Sequence, residues 1–144
     1  MARDRVVLVD GSALLYRAFF ALPSSLATSA GVPTNATFGF ATMCRKVFAG
    51  KRPAFGAVVF DAPGATFREE RFPAYKAQRP SMPAELRAQL ADVDRVVHAF
   101  GLPSLRVSGY EADDVIATLT REALEAGHEV HIVSGDKDFA QLVG

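Results

Sequence analysis

The chain alternates short runs of consecutive apolar residues with longer stretches in which apolar positions recur every three or four residues. Residues 6–9, 57–60, 105–107 and 129–133 read as strands. Val6-Val7-Leu8-Val9 and Ala57-Val58-Val59-Phe60 show no polar alternation, which marks strands buried on both faces. The spacing between the runs predicts helices. The first follows Asp10-Gly11-Ser12, with Ser12 as a candidate cap and Leu14, Leu15, Ala18, Phe19 and Leu22 as its inward face. Tyr16, Arg17 and Phe20 fall on its other sides. Residues 23–34, with Pro, Ser, Thr and Gly, read as a loop. A second helix is expected over about residues 35–49, with Phe38, Ala41, Val47 and Phe48 inward and Gly50 as its stop. Pro83 and Glu85 open a third, striped with Leu86, Leu90, Val93, Val97 and Phe100 and closed by Gly101. The last carries Ala112, Val115, Ile116, Leu119 and Ala123 inward and stops at Gly127.

Strands alternating with helices imply an α/β fold, three layers deep, with a mostly parallel central sheet covered by helices on both faces. No internal boundary divides residues 1–144. Ligands of such folds gather at the carboxyl ends of the strands. Here those ends carry acids: Asp10 and Asp61 after the first two strands, Glu111, Asp113 and Asp114 after the third, Asp136 and Asp138 after the fourth. Each alone has a plain explanation as a turn residue, a helix cap or a partner of a helix dipole. Acids at all four strand ends point instead to one site. Clustered carboxylates repel and are costly to remove from water unless cations neutralise them, so the set reads as a cradle for divalent metal. Oxygen ligands suit hard ions such as Mg²⁺. With no cysteine cluster and no histidine among the acids, zinc is disfavoured, and His98, His128 and His131 read as helix, turn and strand residues. Two such ions ~4 Å apart activate water and stabilise the leaving oxygen of a phosphodiester. No protein nucleophile is then required, and Ser12 reads as a cap or supporting group.

Composition narrows the partners. Sixteen basic and sixteen acidic residues cancel, so no global field attracts nucleic acid and a local patch must do so. The aromatic and basic stretch from Phe67 to Pro80 offers one. Tyr75, Lys76 and Arg79 share a face if this stretch is helical, pairing phosphate-binding cations with a ring that can stack on a base. Arg17 is a further candidate phosphate contact; the plain alternative for each cation is a solvated surface charge. One cysteine, Cys44, precludes an internal disulfide and suits a reducing cytosol. No apolar run approaches the ~18 residues of a membrane span, and no signal peptide precedes the first strand. There is no Gly-x-Gly-x-x-Gly after the first strand, and Gly50-Lys51 lacks the upstream glycine of a P-loop. The final residues resemble a helix just beginning, so a fragment of a longer protein is expected.

Val9-Asp10-Gly11-Ser12 with Leu15-Tyr16-Arg17-Ala18-Phe19, Phe60-Asp61, Tyr75-Lys76-Ala77-Gln78-Arg79-Pro80, Glu111-Ala112-Asp113-Asp114 and Ser134-Gly135-Asp136-Lys137-Asp138 resemble, in order, the 5′-nuclease domains at the N-termini of bacterial DNA polymerases I. These belong to the flap endonuclease-like branch of the PIN-like nucleases. The resemblance implies a PIN-like fold in which all seven acids serve the metal site, with Asp10, Asp61, Glu111 and Asp113 nearest the first ion. It assigns Arg17, Lys76 and Arg79 to phosphates, counts Lys76 among the catalytic groups, and gives Tyr75 the stacking role. It also implies Mg²⁺- or Mn²⁺-dependent hydrolysis of DNA at 5′ flaps or 5′ ends, in primer removal and repair. The setting would be the bacterial cytoplasm at the nucleoid, with a covalently linked polymerase region. The family's helix-hairpin-helix element and its remaining second-metal carboxylates lie beyond the matched motifs, so weak or no cleavage by these residues alone is expected. A non-catalytic nucleic-acid-binding module and a PIN-type ribonuclease stay open as alternatives.

Overall fold

The computed structural model describes residues 4–23, 25–49, 53–62 and 82–134. Arg5–Asp10 (β1) pairs in parallel with Phe55–Val59 (β2) on one side and with Glu129–Val133 (β4) on the other. Ser104–Leu105 (β3) lies outside β2, giving a parallel sheet of order β3-β2-β1-β4. Gly11–Ala21 (α1), Asn35–Val47 (α2), Ala84–Arg87 (α3), Leu90–Ala99 (α4) and Ala112–Glu125 (α5) are the described helices.

The unbroken apolar runs are explained by the two faces they serve. Val7 and Val9, with Val58 and Phe60, join Leu15, Phe40, Leu86, Val93 and Val97 from α1 through α4 in one core. Val6 and Leu8, with Ala57, Val59, Val130 and Ile132, meet Ala112 and Ile116 of α5 on the other. Successive strand residues point to opposite faces, so a strand between two helical layers has no polar position to offer. The three-layer α/β arrangement expected from the sequence is therefore the one observed.

Three local expectations change. The inward face of α2 is not set by Phe38, which is 62% exposed, but by Ala36, Gly39, Phe40 and Cys44. The reason is close helix packing: a Cβ at Gly39 would sit 2.7 Å from the Ala18 Cβ, so the smallest residue of α2 marks its crossing with α1. The third amphipathic stripe is real, but it runs over two helices broken at Ala88 and Gln89. Gln89 is fully buried and its side chain bonds to Asn35, Thr37 and the Glu85 carbonyl. The third strand is two residues long, Ser104–Leu105, because the chain leaves β2 before Arg106.

Candidate metal centre

The parallel register brings the carboxyl ends of the strands to one edge of the sheet. Asp10 closes β1 opposite Val59 of β2, Asp61 follows two residues past the end of β2, and Glu111 opens α5. Asp10 is the N-cap of α1: its backbone is extended and its Oδ1 accepts the Ala13 N–H at 3.0 Å. Ser12 does not cap this helix. Its Oγ accepts the Asp61 N–H at 2.9 Å, so the hydroxyl ties the end of β2 to the first turn of α1. Asp61 is tied a second time, its Oδ1 accepting the Ala112 N–H at 2.7 Å. These two bonds connect α1, the residues after β2 and α5 through one aspartate.

Glu111 and Asp114 form a reciprocal capping box on α5, in which the Glu111 N–H reaches Asp114 Oδ2 at 3.2 Å. This places Glu111 in a buried position, Asp114 half-buried and Asp113 exposed. Asp10 is only 5% exposed, and its pKa is pushed up from 3.8 to about 6. Burial is the main cause; the Ala13 N–H opposes it, and the charges of Asp113 and Asp61, with a side-chain hydrogen bond to Asp113, add to it. Two carboxyl groups in such contact must share a proton or meet a cation. Among the described residues, no group of three or more His, Cys, Asp or Glu side chains stands where it could hold a metal ion. Asp10 interacts with Asp61 and Asp113, Asp10 and Asp61 are each held by a backbone N–H, and a carboxylate bonded to an N–H through one oxygen has another for a cation. The donors brought together are all oxygen, and Asp10, when ionised, is stabilised by a nearby positive charge, which is the chemistry a hard divalent ion fits.

Arg17 lies exposed on α1, about two turns from Asp10. Asp136, Asp138, Tyr75, Lys76 and Arg79 lie outside the described residues. His98, His128 and His131 occupy α4, the turn after α5, and β4, as read from the sequence. Of the two readings of Ser12, the supporting group is the one observed, and its partner is not legible locally because it lies 49 residues away. The only signal was a hydroxyl directly beside Asp10-Gly11.

The sequence model of the family described as 5′-3′ exonuclease, N-terminal resolvase-like domain, matches residues 5–144. The chain is 52% identical over 143 residues to DNA polymerase I of Pseudomonas aeruginosa, covering 99% of this chain and 16% of that protein. It is 46% identical over 136 residues to a 5′-3′ exonuclease of Aquifex aeolicus, covering 94% of this chain and 47% of the other. Among solved structures, a bacteriophage T5 D15 flap endonuclease variant in complex with DNA and metal ions superposes with a TM-score of 0.55 at 21% identity, over 94% of this chain and 50% of that one. The T5 5′-exonuclease with bound zinc gives 0.60 at 22% identity, over the same shares. The chain thus spans half or less of the proteins it matches, and the T5 structures share its fold.

Proposed function

This chain belongs to the 5′-3′ exonuclease N-terminal, resolvase-like domain family, and from that premise we propose that its acidic rim is the metal site of a nuclease acting on the 5′ ends or 5′ flaps of DNA. The observation that carries the proposal is that buried Asp10, capping α1, and Asp61, tied to α1 through Ser12 and to α5 through the Ala112 N–H, are held at one edge of the sheet, where Asp113 and Asp61 both raise the Asp10 pKa. Asp10, Asp61, Glu111 and Asp113 would hold a first divalent ion, with Asp114, Asp136 and Asp138 completing the set. Mg²⁺ or Mn²⁺, when bound, supplies an activated water and a counter-charge for the leaving oxygen. The chain's own residues do the rest. Ser12 and the Ala112 N–H hold Asp61 in place. The Ala13 N–H does the same for Asp10. Arg17, Lys76 and Arg79 clamp phosphates, and Tyr75 stacks on a base near the bond to be broken.

In the parent protein a polymerase region would follow, as in the polymerases with which this chain aligns over 16% of their length, and the work would be primer removal and repair in a bacterial cytoplasm. Among the described residues no helix is long and apolar enough to cross a membrane. Residues 1–144 would then be the catalytic part of the nuclease domain without the helix-hairpin-helix part that grips duplex DNA.

The test is cleavage of a labelled 5′-flap DNA and of a single-stranded RNA, with Mn²⁺ or EDTA, by the chain and by its Asp113→Asn variant. Weak flap cleavage that needs metal and falls at least about tenfold in the variant is expected. Preference for the RNA would make the protein a PIN-type ribonuclease. Metal-independent DNA binding without cleavage would make it a binding module.

A further inference from the structure

Phe60 is the residue at which the chain leaves β2, and Asp61 follows it directly. Its N–H still donates to the Leu105 carbonyl at 2.9 Å, so Phe60 belongs to the sheet while Asp61 does not. The ring is 3% exposed and tightly bounded. On one edge a Cβ at Gly11 would lie 2.6 Å from its Cε1, so the residue after Asp10 has to be without a side chain. The guanidinium carbon of Arg106 lies over the ring, 4.4 Å from its centroid. Arg106 is held in turn by α4, its Nη2 donating to Asp94 Oδ1 at 3.1 Å, and that oxygen also accepts the Ser104 hydroxyl at 3.4 Å.

We propose that Arg106 is a positioning residue for Asp61, acting through the Phe60 ring. A cation over an aromatic face restrains the ring, and a ring restrained at the last sheet residue fixes the direction in which the next residue departs. That direction determines whether Asp61 reaches both Ser12 and Ala112. A solvated arginine would need neither the ring beneath it nor the carboxylate beside it; Arg106 has both, and its side chain is 29% exposed. The inference rests on the reading of Asp61 as a metal-site residue.

The experiment titrates Mn²⁺ into the metal-free chain, following the free-ion electron paramagnetic resonance signal, for wild type, Arg106→Ala, Arg106→Lys, Phe60→Leu and the Arg106→Ala/Phe60→Leu double variant. Amide exchange of Asp61 is followed alongside. Arg106→Ala is expected to weaken Mn²⁺ binding about tenfold, the size of effect typical for groups that orient metal ligands. Its Asp61 amide should exchange several-fold faster, because the bond to Ser12 loosens. Arg106→Lys should recover most of both. In the Phe60→Leu background, Arg106→Ala should add nothing, since coupled residues are not additive. Unchanged Mn²⁺ affinity and Asp61 exchange in Arg106→Ala would overturn the proposal, as would an undiminished loss in the Phe60→Leu background. A wild-type chain that binds no Mn²⁺ would overturn the metal reading of the whole rim along with it.

Discussion

Asp10 is the residue on which the electrostatic cost of the site falls. Its carboxyl titrates near 3.8 when unfolded and about 6 when folded, chiefly because it is buried. The folded state therefore holds this proton more tightly than the unfolded state. The associated stability is full below about pH 4 and is lost as the pH rises through 6, leaving the metal-free protein on the order of 1–2 kcal/mol worse off at neutral pH once solvent screening is allowed for. Asp10→Asn keeps an acceptor for the Ala13 N–H and removes the charge. In EDTA it should melt several degrees above wild type at pH 7.5, with the difference vanishing at pH 4. Adding Mn²⁺ should raise the melting temperature of wild type far more than that of the variant. Melting curves across that pH range check this, and equal stability of the two proteins at pH 7.5 in EDTA would refute it. The acids themselves were legible in the sequence because they recur at all four strand ends, although any one of them alone reads as an ordinary cap or turn residue. What holds them was not: Ser12 reads as a helix cap by local rules, and only the fold brings Asp61 to it in preference.

At the scale of elements, the stripes of α1, α3 with α4, and α5 were readable because side chains on one helix face must repeat every three or four positions. The break at Gln89 was not, since a glutamine between apolar residues carries no sign of being buried. In the fold its amide is fully used. The Oε1 accepts the Thr37 N–H and hydroxyl at 2.9 and 3.1 Å, and the Nε2 donates to Asn35 Oδ1 and the Glu85 carbonyl at 2.9 and 3.0 Å. Asn35 in turn donates to the Phe19 carbonyl at 2.9 Å, so one polar chain joins the helix break to α2 and to the end of α1. Gln89→Leu conserves volume but strands these donors and acceptors in a dry core. It should cost about 2–4 kcal/mol, seen in urea unfolding as a lower midpoint at unchanged slope. A loss under 0.5 kcal/mol would mean that water replaces the amide. On α2, Val47 and Phe48 pack against the core as the stripe predicts, but Phe38 does not, because the close crossing with α1 at Gly39 turns Phe40 inward in its place.

For the molecule as a whole, the decisive quantity is the distribution of a net charge of zero. A neutral protein that gathers acids on one rim presents a repulsive face to DNA there, which on the proposed function is the place of cleavage. Affinity for a 5′-flap DNA should then depend on a divalent cation even when no cleavage occurs. Ca²⁺ supplies the charge, so binding measured by fluorescence anisotropy should tighten about tenfold from EDTA to Ca²⁺ at low salt. The neutralising variants Asp10→Asn and Asp113→Asn should behave in the opposite sense to a simple loss of function. In EDTA each removes repulsion and should bind the DNA a few-fold more tightly than wild type, while gaining less from Ca²⁺. High salt should erase the difference between variants and wild type, because screening replaces the missing counter-charge. Variants that bind no better than wild type in EDTA would mean that the phosphate backbone does not approach this rim, and the site would then have to be sought at another edge of the sheet.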